Sequence, residues 1–278
     1  MNLKFQKILF FLIALLFISC DARKAQEKEA DIRLNNIEEL INRNSYNLAK
    51  IQLDSIHTLF PRLINKRKIA AALEDTIVRR ESARNLIYCD SILPLKIHEA
   101  DSIQKNFRFE KDTAYQEFGN FVYKTQRTES NANRCYLKSY VNENADFYLI
   151  SNYTGGKIDQ YAIQVSVNDL FSRTDSIGIS SSDFHSFNDG GSHWETLTFK
   201  NEADNGLTGF VSQYRNERIK VTLLGKKNYI YYLDPVDKTA ISETYNLWIV
   251  KKDVSKLQKE IKKSKIRIER ITKKQIKK

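Results

Sequence analysis

The sequence predicts an α+β protein, and three periodicities carry that prediction. Apolar residues recur every three or four positions through the first third. The spacing drops to two between residues 118 and 233, and an unbroken three-four seam returns from Leu247 to Ile271. The predicted architecture is an N-terminal helical hairpin and a long C-terminal helix packed as a stalk, with an antiparallel β-sheet or sandwich inserted between them. The boundaries fall at 1–20 for a signal segment, 21–108 for the helical stalk, 109–233 for the β-rich block and 234–278 for the closing helix.

The helices come first. Ala30, Leu34, Ile37 and Ile41 form one stripe. Tyr46, Ala49, Leu53, Ile56 and Phe60 form a second, which Pro61 ends. A third helix carries Ile69, Ala72, Leu73 and Ile77 toward Leu86, Cys89 and Leu93, and Pro94 predicts a kink or a restart before Ala100, Ile103 and Phe107. Ala49, Leu53, Ile56 and Pro61 have the spacing of the second helix of a tetratricopeptide repeat, and Ala83, Ile87 and Pro94 follow 34 residues on. The chain resembles that family over these residues; a plain antiparallel hairpin has the same rhythm.

In the middle, Arg134–Val141, Phe147–Asn152, Tyr161–Val167, Trp194–Phe199, Arg218–Leu224 and Asn228–Leu233 alternate as strands. Asn142–Ala145, Gly155-Gly156 and Gly225–Lys227 supply turns, and Asp204–Tyr214 predicts a short helix. Asp234-Pro235 with Asp237 marks the start of the closing helix. Its seam runs Leu247, Val250, Val254, Leu257, Ile261, Ser264, Ile268, Ile271 and spans roughly 60 Å at 1.5 Å per residue.

Charge is local. The formal net charge is +11, but residues 251–278 hold thirteen Lys/Arg against Asp253, Glu260 and Glu269, and Lys4 and Lys7 add two more. The body between is close to neutral. The basic tail predicts a solvated helix surface or contact with anionic lipid rather than nucleic acid.

Lys4 and Lys7 precede an apolar run, Ile8–Ile18, that is short for a membrane span, and Ser19-Cys20 closes it before a charged segment. This order resembles the lipobox of bacterial lipoproteins, with Phe17 standing where Leu is usual. The resemblance implies lipidation of Cys20, and hence a cell-envelope protein anchored at the outer membrane on its periplasmic or surface face. About 258 residues would remain after cleavage. Cys89 and Cys135 are free to pair in an oxidising compartment, although one sits in a helical pattern and the other opens a strand, which predicts two separate buried thiols.

Asp-Ser-Ile occurs four times, and Asp-Thr-Ile and Asp-Thr-Ala once each, placing hydroxyls at Ser55, Thr76, Ser91, Ser102, Thr113 and Ser176. The triplets resemble the O-glycosylation sites of Bacteroidota, and a helix idiom in which Ile packs and Ser is exposed gives the same pattern. Together with the lipobox, the chain resembles uncharacterised Bacteroidota lipoproteins, a likeness that brings no catalytic residues.

No Gly-x-Ser-x-Gly elbow, HExxH pair or phosphate-cradling glycine loop occurs. Asp183, His185, Asp189, His193 and Glu195 cluster around Gly190-Gly191, which reads as a metal site through His185 and His193 or as a polar hairpin. Tyr136, Tyr140, Tyr148, Tyr161 and Trp194 read as cross-strand packing or as a sugar-stacking surface centred on Tyr148 and Trp194. His57 and His98 fall on helices. The expected function is therefore a membrane-anchored, non-enzymatic binding or scaffolding module without a cofactor, partnered by an envelope protein or glycan. The alternatives are a glycan-binding lipoprotein using the β-domain aromatics and a metal-dependent hydrolase around His185 and His193.

Overall fold

The computed structural model describes residues 3–126, 131, 134–200 and 202–276, with side chains from 23 onward. The protein is α+β, and the described residues form five helices and two antiparallel sheets. It divides into two compact units, residues 1–89 with 260–278, and residues 90–259. Among the described residues no helix is long and apolar enough to cross a membrane.

The helical unit contains α1 (Leu3–Asn42), α2 (Tyr46–Leu59), the first part of α3 (Ile64–Gln104) and the end of α5 (Pro235–Ile276). Its core is Ala30, Leu34, Ile37 and Ile41 of α1, all five stripe residues from Tyr46 to Phe60, and Leu63, Ala70 and Ile77. Each buried Ile or Leu contributes about 1.5–3 kcal/mol by leaving water. Asn44 takes a positive φ of 58° between α1 and α2, and the Ile41 carbonyl at the end of α1 accepts from the Asn44 N–H and from Arg80, each at 3.1 Å.

Two expectations for α3 need correction. Ala70 packs in the core where Ile69 and Ala72 were expected; Ile69 is 43 % exposed and Ala72 faces solvent. A one-residue step turns a helix by about 100° and changes the face. The helix also runs unbroken through Pro94, and Ile87 is 74 % exposed. In the second copy of the tetratricopeptide rhythm Ala83 is half-buried and Ile87 lies outside the core.

In α5 every seam position, Leu247 to Ile271, is buried or half-buried, while most of the Lys/Arg residues between them are exposed. Within the helical unit, Lys274 Nζ lies 2.5 Å from Asp75 Oδ2 on α3.

The β unit opens earlier than expected, with β1 (Phe107–Glu110), followed by β2 (Asn120–Tyr123), β3 (Tyr136–Asn142), β4 (Phe147–Gly155), β5 (Ala162–Val167), β6 (Leu170–Arg173), β7 (Phe184–Asp189) and β8 (Ser192–Phe199). Then come the short helix α4 (Leu207–Gln213), β9 (Lys220–Leu224) and β10 (Tyr229–Tyr232). One sheet has the order β1-β2-β3-β4-β8-β7 and the other β10-β9-β5-β6. Leu137, Leu149, Leu197 and Phe199 of the first sheet share a core with Ile163, Val165, Val221 and Leu223 of the second. Leu207 and Val211 of α4 and Ile241 of α5 complete it. This is a two-sheet packing. Cys89 is buried, Cys135 is half-buried, and no disulfide joins them.

Candidate functional site

Gly190 and Gly191 both have positive φ, 56° and 79°, the two-residue turn that matches the twist of a tight hairpin. Asp189 pairs with Ser192 across it, so the polar cluster is the β7–β8 hairpin. Register then separates the histidines. His185 faces Thr196, on the outer face that also carries Trp194; His193 faces Asn188 and shares the opposite, inward face with Glu195. Side chains alternate along a strand, so the two imidazoles point to opposite sides of the sheet. The expected His185/His193 metal pair is corrected on that ground. Among the described residues no group of three His, Cys, Asp or Glu side chains is placed to hold a metal.

What the cluster contains instead is a buried carboxylate. Glu195 is 1 % exposed. Its Oε1 accepts the main-chain N–H groups of Ile158 and Asp159, and its Oε2 that of Gln160, each at 2.8 Å. Asp159 takes a φ of 49°, and the turn aims three successive N–H groups at one anion. Gln160 Nε2 donates back to the Glu195 carbonyl at 3.1 Å, and Ser151 Oγ donates to Gln160 Oε1 at 2.8 Å. Glu195 lies on β8 and Gln160 leads into β5, so this network ties one sheet to the other. His193 Nε2 is 3.4 Å from Glu195 Oε1, and its Nδ1 is 2.7 Å from Asn188 Oδ1. Asp183 is engaged by Lys200 at 2.8 Å, and Asp189 is exposed at the turn.

A second buried carboxylate lies in the same unit. Asp237, in the first turn of α5, is fully buried and receives Arg134 in a bidentate pair at 2.6 and 2.7 Å. Burial pushes the Asp237 carboxyl up against the opposing pull of the guanidinium, and the Asp237 hydrogen bond raises Arg134. Arg134 also reaches Asp234 at 2.8 Å and lies 5.3 Å from the Tyr136 ring centroid.

The aromatic residues divide. Tyr148 and Trp194 share the outer face of the six-stranded sheet, because Thr154, six residues past Tyr148, pairs with Trp194. Each is stacked on a cross-strand neighbour, Tyr148 on Tyr140 at 4.6 Å and Trp194 on Phe187 at 6.1 Å. Tyr161 lies outside this face, at the entry to β5, with Arg173 6.0 Å from its centroid. Burial, with Tyr148 adding to it, pushes the Tyr140 phenol up to about 12.

The hydroxyls of the Asp-Ser/Thr triplets are all at least partly accessible. Ser91, Ser102, Thr113 and Ser176 are exposed, and Ser55 and Thr76 are half-buried, donating to the carbonyls of Ile51 and Ala72. The following residue points inward at Ile56 and Ile77 and is half-buried at Ile92, Ile103 and Ile177. His57 is half-buried near Arg67, and His98 is exposed. The side chains of Lys4, Lys7 and Cys20 lie outside the described residues.

Sequence reasoning missed one feature of the helical unit. Arg267 and Arg270 of α5 line an open groove of about 490 Å³ together with Lys50 of α2 and Glu81, Ser82 and Arg84 of α3. Nothing in the spacing links residue 50 to residue 267.

No family model, no curated protein and no solved structure matches this chain.

Proposed function

We propose that this chain is a lipid-anchored cell-envelope protein of the Bacteroidota lipoprotein type, acting as a non-enzymatic binding or scaffolding module. The observation that carries the reading is the succession of Lys4 and Lys7, the apolar run Ile8–Ile18 and Ser19-Cys20. Lipid chains on Cys20 hold it at the outer membrane, each buried methylene contributing about 0.8 kcal/mol. Residues 251–278 contact anionic lipid, and an envelope protein or glycan is the partner. Intact mass of the natively expressed protein, with and without Cys20→Ala, tests the anchor. The expected result is cleavage before residue 20 plus acyl mass, lost in the variant; an unprocessed leader in a soluble fraction overturns it. The same spectrum reads hexose additions at the Asp-Ser/Thr triplets.

A second reading, glycan binding by the outer sheet face, is favoured by one observation. Tyr148 and Trp194 lie on the same side, about 20 Å apart along the strand, with Asn152 and Thr196 between them. Trp194→Ala is expected to abolish binding to a glycan array while leaving the fold intact; a flat array with the wild-type protein removes this reading.

A further inference from the structure

The groove of the helical unit concentrates four cations. Lys50 is held by Glu81, with Nζ 2.9 and 2.8 Å from its two oxygens. Arg84 sits 5.5 Å from the centroid of the Tyr46 ring. Arg267 and Arg270 form no ion pair among the described residues; Glu260 pairs with Lys263 and also feels the charge of Arg267, and Glu269 pairs with Lys273. With Glu81 as the groove's acid, the lining carries four cations against one anion. The neighbouring basic residues Lys262 and Lys265, on the same helix, are exposed and outside the groove.

Three guanidiniums from two helices line one concavity, and all three residues are exposed to solvent. Like charges repel at short range, and each guanidinium presents a planar fork of donors that water satisfies less selectively than an oxyanion does. A monocarboxylate would leave two positive charges unanswered. A phosphate group or diphosphate matches the local excess in charge and offers several oxygens for bidentate pairing. A volume of about 490 Å³ exceeds what one oxyanion fills, leaving room for an attached group.

We propose that this groove is a binding site for a phosphorylated ligand, with Arg267 and Arg270 of α5 facing Arg84 of α3 across the bound phosphates. Such a site depends on neither the lipid anchor nor the sheet face, and it has two defined walls where general lipid contact of the basic tail has none. The phosphates belong either to a free phosphorylated molecule or to a lipid headgroup.

The test uses the full chain purified in detergent, with inorganic pyrophosphate as the probe in equilibrium dialysis at physiological salt. Saturable binding is expected, weakened at least tenfold in Arg267→Gln/Arg270→Gln and several-fold in Arg84→Gln on the other wall. Lys262→Gln/Lys265→Gln removes the same charge from the exposed side of α5 and is expected to stay within twofold of wild type. Absence of saturable binding overturns the site. Equal weakening in the two double variants, or no effect of Arg84→Gln, also overturns it, because either result means a diffuse field rather than a groove. Circular dichroism confirms that each variant keeps its helices. Displacement of bound pyrophosphate by phosphatidylglycerol vesicles assigns the site to a headgroup; retention in their presence assigns it to a free phosphorylated molecule.

Discussion

The β unit and the helical unit treat charge in opposite ways. In the β unit, carboxylates are taken inside and each is answered. Glu195 is answered by three main-chain N–H groups and Asp237 by a bidentate arginine. In the helical unit the interior is apolar from Ala30 to Ile77, and charge gathers on the surface, where two arginines of one groove form no ion pair among the described residues. The first arrangement fixes one sheet against another. The second leaves binding capacity unspent, which is why the helical unit and not the polar hairpin carries the proposed phosphate site.

The sharpest way to break this contrast is to remove a buried anion. Glu195→Ala leaves three inward N–H groups without an acceptor and is expected to cost about 4 kcal/mol, at roughly 1–3 kcal/mol per unsatisfied group. Both tryptophans, Trp194 and Trp248, lie in the β unit, so denaturant unfolding followed by tryptophan emission reads that unit alone. Arg134→Met is expected to cost less, about 3 kcal/mol. Its partner Asp237, already pushed up by burial, can shed its charge by taking a proton, an escape that orphaned N–H groups do not have. A larger loss in Arg134→Met than in Glu195→Ala would invert the ranking and point to α5 docking as the stronger constraint.

The smallest effect is one of pH. The Tyr140 phenol stays protonated to about 12 in the folded protein, above the value near 10 of an exposed phenol. An acid raised on folding costs stability as pH climbs through the unfolded value toward the folded one. Wild type is therefore expected to lose stability between these values faster than Tyr140→Phe, measured as the difference between their alkaline unfolding curves. Parallel curves would mean that the outer-face tyrosine pair is open to water.

Much of the fold was legible because burial on one side of an element imposes a period. Every seam position of α5 and both stripes of α1 and α2 lie where periodicity puts them, and the turn at Gly190-Gly191 follows from residues that tolerate positive φ. The failures have physical causes too. β7 is exposed at five of its six positions and so shows no alternation, and β1 is four residues long. The Ile69 error came from a choice between adjacent apolar residues that spacing alone does not resolve. The Glu195 network depends on the backbone conformation of Asp159, and the arginine groove on a tertiary meeting of α3 and α5. Neither leaves a mark in local sequence.

The Asp-Ser-Ile triplets on α3 have a consequence for timing. Ser91 and Ser102 sit on the solvent side of a continuous helix while Ile92 and Ile103 turn inward. A sugar transferred to either exposed hydroxyl would extend into water. Were either serine a glycosylation site, its exposure on the helix would allow transfer to the folded protein.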